Sequence, residues 1–136
     1  MTRSIRFAAT LPYPAYQGVR RPYLRFRLSH RERTSPTLLG LVDSGADYVT
    51  VPATVGQLLG FDLATLPTER VVAPDGNHYA LYRADVTMLC QGKSFALTVL
   101  FNPGRGFGYS LLGRRGLFEQ LLFAFDEQAK VLLVRR

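Results

Sequence analysis

Leu39-Gly40-Leu41-Val42 is an apolar run of strand character that ends abruptly on Asp43-Ser44-Gly45-Ala46-Asp47. Few features restrict a fold more than a carboxylate at the tip of a buried strand. Asp43 is costly to desolvate unless it is hydrogen-bonded or used in chemistry. The hydroxyl of Ser44 offers a partner, and Gly45, lacking Cβ, lets another backbone come close. The run therefore reads as half of a catalytic site. A second apolar pair capped by glycine and a cation, Leu111-Leu112-Gly113-Arg114, stands far downstream.

The rest of the chain is mostly β in pattern. Tyr23–Ser29 alternates apolar and polar residues as a half-buried strand does. Thr37–Val42 and Tyr48–Val51 flank the Asp43 turn, and Pro52 opens a short helix through Leu59 that Gly60 stops. Arg70–Ala73 and His78–Ala84 enclose Pro74-Asp75-Gly76-Asn77, whose residues suit a hairpin tip. Ala84–Cys90 and Ser94–Phe101 form a second hairpin around Gln91-Gly92-Lys93, and Ser110–Leu112 is a further strand. Leu117, Phe118, Leu121 and Leu122 share one face of a two-turn helix expected over Arg114–Leu121. Phe123–Asp126 and Val131–Val134 close with a last hairpin. Ala8–Gly18, with Pro12 and Pro14, is expected to be extended or irregular. Short strands, frequent turns and one late helix describe a small closed or partly closed β-barrel.

At 136 residues the chain has enough material for one core and too little for two. No apolar run approaches the roughly 18 residues of a membrane span. Arg3 and Arg6 could head a signal segment, but Phe7–Leu11 is too short an apolar core and Pro12 ends it, so a cytoplasmic location is expected. Cys90 has no second cysteine to pair with and falls in the apolar phase of its strand, which makes it a small core residue. The charge is uneven. Residues 1–37 hold eight Arg against Glu32 alone, whereas residues 38–136 balance nine bases with nine acids. Arg25 and Arg27 alternate with Leu24, Phe26 and Leu28, as on the solvent face of a strand. No nucleic-acid-binding signature accompanies them, so a nucleic-acid partner is not expected.

The two motifs together resemble those of the retropepsin-like aspartic proteases, which carry one Asp-Thr/Ser-Gly-Ala per subunit and a later pair of apolar residues followed by Gly and Arg. The resemblance covers about residues 23–136 and leaves 1–22 as a basic, Pro- and Tyr-containing extension. It implies a small closed acid-protease barrel with a flap hairpin and one short C-terminal helix. Asp43 takes the catalytic position, and Ser44, Gly45 and Ala46 support its loop. By the same resemblance Ser44 would bond across a two-fold axis, and Gly45 would admit the substrate backbone. Asp47 would pair with Arg114 and touch the substrate main chain. Pro74, Asp75, Gly76, Asn77 and His78 fall where the family has its flap. Neither a metal nor another cofactor is implied. His30 and His78 are far apart and lack a ligand cluster. Two positions beside the motifs depart from the viral pattern: Tyr48 replaces a second acid, and Arg115 stands where Asn or Asp is usual.

One carboxylate cannot both take a proton from water and give one to the substrate. Two held about 3 Å apart can, because like charges keep one protonated, the coupling known from aspartic proteases. Asp62, Asp75, Asp85 and Asp126 are followed by no Ser-Gly or Thr-Gly. What the resemblance implies is that a second Asp43 comes from a second copy, in a two-fold homodimer acting on a peptide or protein. The alternative is a non-catalytic homodimer of the same fold that binds peptides or a partner. Ser44 lacks a nucleophile elbow. Gly104-Arg105-Gly106-Phe107-Gly108 lacks the third glycine of a dinucleotide loop.

Overall fold

The computed structural model describes residues 4–73, 75–104 and 110–136. Four strands come first along the chain: β1 (Ala9–Pro12), β2 (Ala15–Tyr16), β3 (Val19–Arg20) and β4 (Tyr23–His30). The segment expected to be extended or irregular thus begins with an extended, paired strand. After the two-residue β5 (Arg33–Thr34), β6 (Leu38–Val42) leads into the Asp43 turn and β7 (Val49–Pro52) leaves it. A helix α1 (Ala53–Leu58) and a short 3-10 turn (Leu63–Thr65) follow. β8 (Thr68–Val72), β9 (His78–Cys90) and β10 (Lys93–Asn102) form two successive hairpins that share β9. β11 (Ser110–Leu112), β12 (Leu122–Asp126) and β13 (Val131–Arg135) complete the chain.

Six strands close on themselves in the order β4-β6-β11-β7-β10-β9 and back to β4. Closure depends on β4 changing neighbours along its length. Tyr23–Phe26 pair with β6, and Arg27–Ser29 pair with β9. The alternation read in the sequence fills the barrel: Leu24, Phe26 and Leu28 point inward with at most 2% exposure while Arg25 and Arg27 face out. Met88, Val99, Phe101, Val49 and Leu112 meet them in the core. Burying several such side chains, each worth about 1.5–3 kcal/mol, is the main force behind the barrel.

A second sheet, β1-β13-β12, packs at the side. Leu132 and Val134 of β13 point into the core, and Tyr13, just after β1, is 2% exposed. Residues 9–13 are therefore built into the body through pairing with Val131–Val134 and through Tyr13.

The late helix differs from its expectation. Arg114–Leu121 forms two overlapping helical turns, closed by Phe118 N–H to Arg114 C=O (2.9 Å) and Leu121 N–H to Leu117 C=O (3.0 Å). No continuous helix spans them. Gly116 lies between with φ +80° and sits against the Leu97 side chain, where a Cβ would meet another carbon at 2.5 Å. A left-handed residue interrupts the helical ladder however well the apolar residues are spaced. Among the described residues no helix is long and apolar enough to cross a membrane.

Candidate active site

β6 and β7 are consecutive in sequence but are not hydrogen-bonded to each other. β11 lies between them, parallel to β6 (Leu112 opposite Val42) and antiparallel to β7 (Leu111 opposite Thr50). The Asp43–Tyr48 loop must therefore pass over the end of β11, which brings the two sequence motifs together.

Four backbone bonds hold that crossing. Asp43 N–H donates to Leu112 C=O (3.0 Å) and Ala46 N–H to Asp43 C=O (3.2 Å). From the other side, Arg114 N–H donates to Ala46 C=O (3.0 Å) and Arg115 N–H to Asp47 C=O (2.8 Å). Gly113 is what lets the strands come this close. A Cβ there would lie 2.3 Å from the Tyr48 carbonyl oxygen, a collision with backbone that no rotamer relieves.

The Asp43 carboxylate is partly exposed at the tip of β6 and accepts the Gly45 N–H at 2.9 Å. A side chain at Gly45 would stand 3.2 Å from that same carboxylate oxygen, so glycine keeps its surroundings open. Ser44 is exposed, and its hydroxyl has no hydrogen-bond partner among the described residues.

Asp47 and Arg114 meet as a salt bridge, Nη2 to Oδ1 at 2.8 Å. Both side chains are more than half exposed, 59% and 57%. In the single chain the pair is thus a surface contact worth about 0.2–1 kcal/mol, and its geometric role is to tie the Asp43 loop to the turn after β11. Tyr48 and Arg115 also meet. Arg115 Nη1 donates to the Tyr48 hydroxyl at 3.1 Å, and its guanidinium carbon lies 4.9 Å from the Tyr48 ring centre. The contact is hidden in the sequence because the residues are 67 positions apart. Beside them opens a polar groove of about 490 Å³ lined by Tyr48, Arg83, Asp85, Thr98 and Arg115. Within it Thr98 donates to Asp85 at 2.7 Å.

The hairpin of β8 and β9 projects as a two-stranded arm, because β8 pairs with β9 alone. Its tip is internally braced: Asp75 accepts from the Asn77 backbone (2.8 Å) and side chain (2.9 Å), and Gly76 N–H donates to Ala73 C=O. Pro74 lies outside the described residues, as does the glycine-rich loop beyond Gly104. His78 pairs opposite Val72 at the base of the tip. No hydrogen bond or ion pair joins the arm to the Asp43 loop among the described residues. His30 is not drawn to His78; it stacks on Phe61 at 4.1 Å. Among the described residues no group of three or more His, Cys, Asp or Glu gathers as a metal site would.

Among solved structures the chain is similar to that of a retropepsin-like aspartic protease from Rickettsia conorii, with 23% identity and a TM-score of 0.59. The match covers 82% of this chain and 80% of that one. No family model matches the chain, and no curated protein does. With its closed six-stranded barrel, the chain has the retropepsin-like fold.

Proposed function

We propose that the chain is an aspartic endopeptidase, active as a two-fold homodimer in which each copy supplies one Asp43. The observation that carries this reading is a single Asp-Ser-Gly turn, partly exposed at the end of β6, in a retropepsin-like barrel. In the dimer the two carboxylates share a proton. The ionised one takes a proton from water as the oxygen attacks a peptide carbonyl, and the protonated one donates to the carbonyl oxygen. Collapse of the tetrahedral intermediate, with a proton passed to the leaving amine, releases the two product peptides. No covalent enzyme intermediate forms.

The other residues act around that step. Ser44, whose hydroxyl has no partner among the described residues, bonds across the axis and keeps the two loops in register. Gly45 and Ala46 leave room for the substrate backbone. Asp47, oriented by Arg114, meets the substrate main chain. The arm carrying Pro74, Asp75, Gly76, Asn77 and His78 acts as the flap that shuts out water. A cytoplasmic setting suits the free thiol Cys90. The test is cleavage of a peptide library by the purified protein. Activity should be blocked by pepstatin, indifferent to chelators and serine-directed reagents, and absent in Asp43→Asn. Cleavage that survives Asp43→Asn would assign the chemistry to other residues.

A further inference from the structure

The positive excess of the chain lies wholly in residues 1–37, where eight Arg face one Glu. Part of it collects at one place. Where β4 leaves β6 to join β9, a groove of about 440 Å³ opens on the outside of the barrel. Arg25 and Arg27 stand along it from β4, Lys93 closes it from the β9–β10 turn, and Leu89 lines its floor. Arg27 and Ser94 both stand directly opposite Leu89, one on each neighbouring strand.

A fourth cation joins the rim. The Arg136 guanidinium rests over Gly92, close enough that a Cβ there would be 3.2 Å from its terminal nitrogens. Lys93 is held in place by the Gln120 carbonyl at 3.1 Å. No carboxylate lines the groove, and none pairs with Arg25, Arg27, Lys93 or Arg136 among the described residues. Arg25, Arg27 and Lys93 on the groove, with the Arg136 guanidinium beside them, raise the local potential for anions.

The site is separate from the reaction centre. Thr37, which also lines the groove, precedes β6, whereas Asp43 follows it. Six residues of extended chain put the two roughly 20 Å apart, at opposite ends of the strand.

We propose that this groove is a docking site for an acidic stretch of polypeptide, with carboxylates meeting the four cations and small apolar side chains covering Leu89. The chemistry favours a peptide over nucleic acid. Single strands are held by bases stacking on exposed rings, and the one aromatic lining the groove among the described residues, Phe26, is 2% exposed and turned into the core. Guanidinium groups suit carboxylates through paired hydrogen bonds.

The experiment measures fluorescence anisotropy of a labelled peptide of alternating glutamate and alanine, added to the full chain. Saturable binding that weakens with salt is expected. The double variant Arg25→Glu, Arg27→Glu, shown to be folded by circular dichroism, should lose affinity by about tenfold or more. The double variant Arg25→Gln, Arg27→Gln should fall between it and the wild type. Arg70→Glu, on exposed β8, and Asp43→Asn should bind as the wild type does, which separates this site from the proposed catalytic one. Absence of saturable binding at millimolar protein overturns the proposal, as does equal binding by the charge-reversed variant. An oligothymidylate that displaces the peptide and binds more tightly would make the groove a nucleic-acid site and overturn it too.

Discussion

Gly113 shows how one residue type is dictated by the packing around it. β11 can lie between β6 and β7 only if nothing projects from position 113, since a Cβ would press on the Tyr48 backbone at 2.3 Å. Gly113→Ala should therefore destabilise the fold by about 1–3 kcal/mol, the usual cost of forcing atoms into a packed site. Urea denaturation measures it, and an unchanged midpoint would contradict the close approach. Arg114 answers differently. Because its bridge to Asp47 is more than half exposed, Arg114→Ala should cost only about 0.2–1 kcal/mol in the single chain, and a larger loss would show that the pair is buried in an assembly. Cys90 supplies a third residue-scale outcome. Burial pushes its thiol from the ordinary 9.0 up to about 12, so the unfolded chain gives up the proton first. Its contribution to stability is complete below about pH 9 and is lost as pH rises towards about 12. In the folded protein the thiol should resist a disulfide reagent near neutral pH and react once denaturant is added. Rapid reaction without denaturant would contradict its burial.

At the scale of elements, what the sequence made legible was whatever rests on local pattern. The alternation in Tyr23–Ser29, the turn residues around Gln91-Gly92 and the apolar run into Asp43 each led to an observed strand. What escaped was set by distant contacts. The helix expected over Arg114–Leu121 has the right apolar spacing, yet Gly116 adopts φ +80° against Leu97, and periodicity carries no trace of that contact. Residues 9–13 read only as extended or irregular, because Pro12 and Pro14 obscure the pattern of a strand whose partner, β13, is more than a hundred positions away. The Tyr48–Arg115 contact was hidden in the same way, since each residue alone looks only like a departure from a pattern. The terminal segment yields a test. Removing residues 1–22 deletes β1 and the core residue Tyr13, and loss of one large buried aromatic alone costs about 3–5 kcal/mol. The shortened chain should melt well below the full one. Equal melting temperatures would mean that the β1–β13 pairing contributes nothing.

For the whole molecule, the site as one chain presents it has a single carboxylate where hydrolysis of an amide by this chemistry needs two. The proposed dimer resolves this, and an obligate interface of that kind should bury on the order of 2,000 Å² or more. Two coupled carboxyls also impose a pH signature. One must be protonated and the other ionised, so the rate should follow a bell on the acid side of neutrality whose two limbs belong to the pair. The most direct measurement mixes the wild-type chain with increasing amounts of Asp43→Asn and follows peptide cleavage. If each site takes one Asp43 from each copy, mixed dimers are inactive. An equal amount of variant should then cut the activity of a fixed amount of wild type to about one half, with further loss as the variant is raised. Activity that stays constant whatever the amount of variant would mean that each chain works alone and would contradict the account.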